Sequence, residues 1–188
     1  MKTLKYLIFF TVALGFAFTS EAQDSDSTKK AKHVHKDMKA EEVKQLLDSK
    51  SFVFKAEYAN PLGGPYTTLN GRMFNLSPDG TGHIYLNYNY DVRIKPDSVI
   101  AFLPYFGRAT MAVPYGTNSD NGVQFTSTKF EYGSKVGKKG NTTITINPKD
   151  ARYTNRMILD VTTSGRATLQ VLSNNKNSIS YDGYIAEK

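Results

Sequence analysis

Cysteine is absent from the 188 residues, which excludes disulfides, thiolate metal sites, a cysteine nucleophile and a lipid-modified terminal cysteine. Histidine is scarce, with only His33, His35 and His83 in the chain. His33 and His35 have the look of a metal pair, yet no third ligand stands at a helpful spacing from them. No Gly-x-Ser-x-Gly elbow accompanies His83, so it reads as a strand histidine and not as part of a nucleophilic triad. No repeat of fixed period is present, and the longest apolar run, Leu7 to Phe18, is broken at Thr11 and Gly15 and is too short to span a bilayer comfortably. From these absences we assign no catalytic residue, no metal and no cofactor, and we expect no enzyme.

That apolar run instead reads as the core of a signal peptide. Lys2 and Lys5 precede it, and Ser20-Glu21-Ala22 places small residues where a signal peptidase inspects the chain, so cleavage is expected between Ala22 and Gln23. With no cysteine to acylate, the expected destination is the periplasm or the exterior. The formal charge of +7 falls to +6 without residues 1–22 and to +4 without residues 23–36, whose lysines outnumber their acids. Export argues against a nucleic-acid partner, and the modest excess suits at most a peripheral attraction to anionic envelope surfaces. Residues 23–36 are polar, without apolar periodicity, and read as a mobile tail, leaving residues 37–188 as one domain.

Within that domain Asp37 can cap a helix running to about Ser49, with Val43, Leu46 and Leu47 as its apolar stripe. From Ser51 the period changes to two: Phe52, Phe54 and Ala56 alternate with Val53, Lys55 and Glu57. Further strands are expected at Arg72 to Leu76, at His83 to Tyr90 with Val92 and Ile94 in continuation, and at Val99 to Leu103. More follow at Thr110 to Val113, Val123 to Tyr132, Thr142 to Asn147, Arg156 to Thr162, Arg166 to Ser173 and Ser178 to Ile185. In His83 to Tyr90, Ile84, Leu86, Tyr88 and Tyr90 fall on one face. The longer loops are Asn60 to Tyr66, Pro114 to Gly122 and Gly133 to Asn141, the last with Lys135, Lys138 and Lys139 at a basic tip. Short connections without crossover helices predict a mostly β fold with one N-terminal helix, either a lipocalin-like antiparallel barrel or a two-sheet sandwich.

Leu103-Pro104-Tyr105-Phe106-Gly107-Arg108-Ala109, with Pro114-Tyr115 after it and Ile179 to Ile185 at the end, resembles a family of exported Bacteroidetes proteins catalogued as a domain of unknown function. The resemblance covers about Val43 to Ile185; it implies a fold and a compartment and brings no activity. Physically, Pro104 stops the preceding strand and Gly107 permits a sharp turn, so Tyr105 and Phe106 are offered to the core or to a rim. Arg108 sits past the turn, where its guanidinium can hold a protein carboxylate or a ligand anion.

Five carboxylates, Glu57, Asp91, Glu131, Asp160 and Asp182, fall in or beside strands. A converging pair of them would make a glycan hydrolase, whereas each alone is a solvated strand residue or an ion-pair partner. The tyrosines carry more, since a broad ring with a hydroxyl suits sugars, peptides or amphiphiles, although tyrosine is also a favoured strand residue. The leading expectation is a non-enzymatic binding module with a tyrosine-lined cavity or groove. Arg108, Tyr105, Tyr85, Tyr88 and Tyr115 are its candidate ligand-binding residues, and a small amphiphilic or glycan ligand its partner. The rivals are an envelope protein-interaction or assembly factor and the carboxylate-dependent hydrolase.

Overall fold

A computed structural model describes residues 37–62, 64, 66–69, 72–77, 80–107 and 122–188. The expected signal peptide, the polar tail and the strand at Thr110 to Val113 lie outside these residues. A helix α1 (Ala40–Asp48) is followed by β1 (Phe52–Pro61), the hairpin β2 (Tyr66–Leu69) and β3 (Arg72–Asn75), β4 (Ile84–Ile94) and β5 (Val99–Pro104). Then come β6 (Gly122–Ser127), β7 (Phe130–Val136), β8 (Thr142–Pro148), β9 (Thr154–Val161), β10 (Arg166–Ser173) and β11 (Ile179–Ala186). Nine strands form one antiparallel sheet in the order β6-β5-β4-β1-β11-β10-β9-β8-β7, with β2 and β3 apart from it.

The two ends of that sheet belong together. Neighbours alternate in direction along the order, so β6, paired with β5, and β7, paired with β8, run the same way. Only Thr128 and Lys129 separate them, while a reversal and return would need a dozen or more residues. They are therefore two halves of one bent strand that leaves β5 and joins β8, and the sheet becomes a nearly closed barrel. The single strand expected over Val123 to Tyr132 is this element, longer and kinked. The loop expected from Gly133 shrinks to the turn after Val136, because Gly133 pairs with Thr145 and the ladder with β8 continues to Val136 opposite Thr142.

Asp150, just beyond β8, holds the bend. Its carboxylate accepts from the Ser127 hydroxyl, from the Thr128 N–H at 3.0 Å and from the Lys129 N–H at 3.2 Å. Those donors, the Ser127 hydroxyl foremost, hold the carboxyl below its ordinary range. A depressed folded value means that the unfolded chain binds the proton more readily, so this contribution is full above the unfolded value of about 3.9 and is lost as pH falls through the folded one. Asp150→Asn is therefore expected to lower the urea midpoint at pH 7 and to lose less stability between pH 7 and pH 3 than the parent. Parallel losses in the two proteins would contradict this role.

Interior positions are filled by alternating side chains of every wall, among them Phe54, Val92, Ile144, Met157, Leu169 and Tyr181, all essentially without solvent contact. Val43 and Leu47 of α1 join that cluster, so the helix lays its apolar face on the barrel core, while Leu46 is only half-buried. The cap differs from expectation. The helix starts three residues after Asp37, and Glu42 reaches back to accept the Lys39 N–H at 3.2 Å. The Met38 N–H donates to Ser164 at 3.0 Å and fastens the helix entry to the β9–β10 turn.

The alternation expected from Phe52 holds to Ala56 and then slips. Against β11, Ala56 pairs with Gly183 but Tyr58 pairs with Asp182, so Glu57 is an extra residue, a bulge. Beyond it the parity of β1 is reversed: Ala59 is fully buried and Tyr58 turns outward. Strand β4 departs further, for Ala56 pairs with Tyr90 while Tyr58 pairs with Tyr85. Residues 86–89 thus stand against a single β1 position, and Tyr88, expected beside Ile84 and Leu86 on the buried face, is instead 71% exposed.

Candidate functional site

Once Tyr58 faces outward, it completes an aromatic series on the barrel exterior. The His83 and Tyr58 rings meet edge-on at 6.1 Å, and Tyr58 meets Tyr85 in the same manner at 5.7 Å. A second series links Tyr88 to Phe102 through Tyr90, a half-buried ring packed against the core: Tyr88 to Tyr90 at 6.1 Å and Tyr90, stacked, to Phe102 at 5.7 Å. Tyr85 and Phe102 remain 52% and 47% exposed. Asp91 pairs across β4 and β5 with Phe102, and its carboxylate accepts from the Arg93 guanidinium at 3.1 Å, which sets a charged pair beside the rings.

A polar chain adjoins the His83 end. The Asp182 carboxylate accepts from Asn60 Nδ2 at 2.6 Å and from Thr168 Oγ1 at 2.7 Å, and Asn60 Oδ1 in turn bonds His83 Nδ1. His83 Nδ1 lies 3.9 Å from the Asp182 carboxylate itself. The other four carboxylates have different partners. Glu57 meets Arg166 at 2.9 Å, Asp91 meets Arg93, Glu131 meets Lys149 at 2.9 Å, and Asp160 accepts from Thr143 at 2.6 Å. Lys149 and Asn147 hold the Glu131 carboxyl below its ordinary value. Such pairing suits ion pairs and surface hydrogen bonds.

Tyr105 is used differently from Tyr85 and Tyr88. It is half-buried, its hydroxyl donates to the Asn177 carbonyl at 3.0 Å, and the Lys176 ammonium lies 5.0 Å from its ring centre while donating to the Gly122 carbonyl at 3.1 Å. Burial raises its hydroxyl pKa. One residue earlier, the Pro104 carbonyl accepts the hydroxyl of Tyr181 at 2.5 Å. The Pro104-Tyr105 corner is thus a clasp joining the end of β5 to the start of β11 and the segment before it. Arg108 and Tyr115 lie outside the described residues. Of the candidates read from sequence, Tyr85 and Tyr88 stand on the exterior series and Tyr105 in the clasp. Tyr58, Asn60, His83, Phe102 and Asp182 join the exterior site without having been singled out as ligand contacts. Their nearest sequence signal is the density of polar and aromatic residues around the Asn60 turn and His83; the bulge that unites them leaves none.

Among the described residues no set of three or more His, Asp or Glu side chains is placed to hold a metal ion, and no helix is long and apolar enough to cross a membrane. Cysteine is absent throughout.

A nearly closed antiparallel barrel with a helix packed on its core and an aromatic exterior defines the structural class. The chain belongs to the family described as "Domain of unknown function (DUF4251)", whose model matches residues 35–185. Among solved structures it is similar to the crystal structure of a DUF4251 family protein from Bacteroides eggerthii, with a TM-score of 0.51 and 17% identity over 79% of this chain and 87% of that one. At that identity the likeness concerns the fold. No curated protein matches the chain.

Proposed function

We propose that this chain is a non-enzymatic binding module, exported to the periplasm or beyond after cleavage near Ala22, and that it contacts its ligand through the exterior rings of β1, β4 and β5. One observation carries the reading: Tyr85, Tyr88 and Phe102 stay 47–71% exposed on neighbouring strands while side chains of similar size fill the barrel. Large rings left in water beside hydrogen-bonding groups are what a recognition surface presents. The packed interior supports a site on the outside of the wall over a central cavity. The binding chemistry expected from the tyrosines is kept, and its place moves to a shallow outer face.

The test is titration of the protein, labelled on its tyrosine rings, with a soluble oligosaccharide, a monomeric lysophospholipid and a short peptide. At least one class is expected to shift the Tyr85 or Tyr88 signals. Tyr85→Ser combined with Tyr88→Ser is expected to weaken that binding about tenfold or more, a loss of about 1.4 kcal/mol, with the melting curve little changed because both rings are largely in solvent. Silence of these rings toward all three classes would overturn the reading.

A further inference from the structure

We infer that the Tyr58–Tyr85 end of this surface is a carbohydrate subsite, with His83 and Asp182 as the hydrogen-bonding edge. The inference rests on the binding reading above and specifies its ligand.

Asp182 stands at the centre of that edge. Its carboxylate takes a hydrogen bond from the amide nitrogen of Asn60 at 2.6 Å and another from the Thr168 hydroxyl at 2.7 Å. With its amino group toward Asp182, Asn60 can offer His83 only its carbonyl oxygen, so the proton of the imidazole sits on Nδ1. In the neutral ring Nε2 then keeps its lone pair, and no protein group among the described residues takes it up. The His83 side chain is 47% and that of Asp182 36% exposed, so both can meet a ligand. Packing of Tyr58 edge-on between His83 and Tyr85 holds the acceptors and the exposed Tyr85 ring in fixed relation.

A pyranose matches both halves of such a site. Its C–H face packs on an aromatic ring, and its edge carries hydroxyl donors that Nε2 and the remaining carboxylate lone pairs can accept. An alkyl chain would cover the rings but strip water from the acceptors without replacing its hydrogen bonds. An anion would meet the Asp182 charge. A cation finds that charge already shared between two neutral donors, and would add to a chain whose net charge is still +6 without residues 1–22. Groups locked in place beforehand lose little freedom on binding, which favours a weak, polar ligand that a mobile surface would not retain.

Titrating the full domain with cellobiose, chitobiose and mannobiose, and separately with dodecylphosphocholine below micelle formation, tests the assignment by ring NMR of tyrosine and histidine. At least one disaccharide is expected to move the Tyr58, Tyr85 and His83 signals together. His83→Phe, which keeps a ring for Tyr58 to pack on, is expected to weaken that binding about tenfold. Asp182→Asn is expected to do the same by releasing the Asn60 orientation, and Val136→Ser, at an exposed position of β7 outside the site, to change it less than about twofold. If the phosphocholine moves the tyrosine signals and no disaccharide does, the sugar assignment fails while the binding surface stands. Sugar binding unchanged by His83→Phe would likewise overturn the assignment; silence of the rings to every disaccharide removes it too, and silence to the phosphocholine and to the short peptide as well removes the binding surface with it.

Discussion

Gly183→Ala is expected to destabilise the fold by about 3 kcal/mol, at or beyond the upper end of the usual range for overpacking. A β-carbon at this position would lie 1.9 Å from the Lys55 carbonyl oxygen and 3.1 Å from the Ala56 α-carbon. Neither atom belongs to a side chain that can rotate away, so β1 and β11 would have to part where they are paired. Domain stabilities are typically about 5–15 kcal/mol, so the loss would be a large share of the whole. Urea unfolding followed by circular dichroism measures it. The substitution also presses on the bulge that sets Tyr58 beside Asp182, so the proposed sugar binding should weaken even where the variant is folded. A stability within 0.5 kcal/mol of the parent, roughly the scatter of neutral surface changes, would show that the two strands are not so close.

Tyr181 gives the second large effect. Its ring is wholly buried, and burial raises its hydroxyl pKa far above the ordinary value. The hydroxyl is nonetheless satisfied, because it reaches the Pro104 carbonyl on the other side of the barrel. Tyr181→Ala is expected to cost about 3–5 kcal/mol by opening a cavity and leaving that carbonyl without a donor. Tyr181→Phe isolates the second contribution and should cost about 1–3 kcal/mol. The two variants compared by urea denaturation separate packing from the hydrogen bond. A phenylalanine variant as stable as the parent would mean that the clasp does not depend on this hydroxyl.

Local features were readable from the sequence wherever one segment determined them. The strand Arg166–Ser173 has the bounds its alternation and flanking turns predict, and Val43 and Leu47 form the buried stripe of the helix as their spacing requires. The corner at Pro104 also follows from its own residues. Its function as a clasp does not, because Asn177 and Tyr181 lie 72 and 77 positions away from their partners. The closure of the barrel depends on Asp150, 22 residues beyond Thr128, and no periodicity registers such a contact. The helix cap was misplaced because Asp37 is a better capping residue than Lys39 in isolation, while the Glu42 reach-back and the Met38 anchor decide where the first turn begins.

Tyr85 and Tyr88 were legible as aromatic candidates; how the exterior rings come together was not, and for a sharper reason. Alternation assigns Tyr58 to the interior along with Phe52, Phe54 and Ala56, and nothing in Glu57 announces that it stands outside the pairing. Tyr88 is misassigned for a related reason, since β4 spends extra residues opposite that same point. Two tyrosines therefore lie on the side opposite to the one that counting in twos gives them.

For relatives of this protein, spacing matters more than matching letters. A homologue one residue shorter at Glu57 would keep every aromatic yet lose one ring of the outer wall, its tyrosine turned inward and a small residue standing in its place between His83 and Tyr85. Conversely, a chain with few of the same side chains but the same added position would retain the platform. Alignment gaps in this strand are thus the place to look for members of the family that have gained or lost the proposed platform.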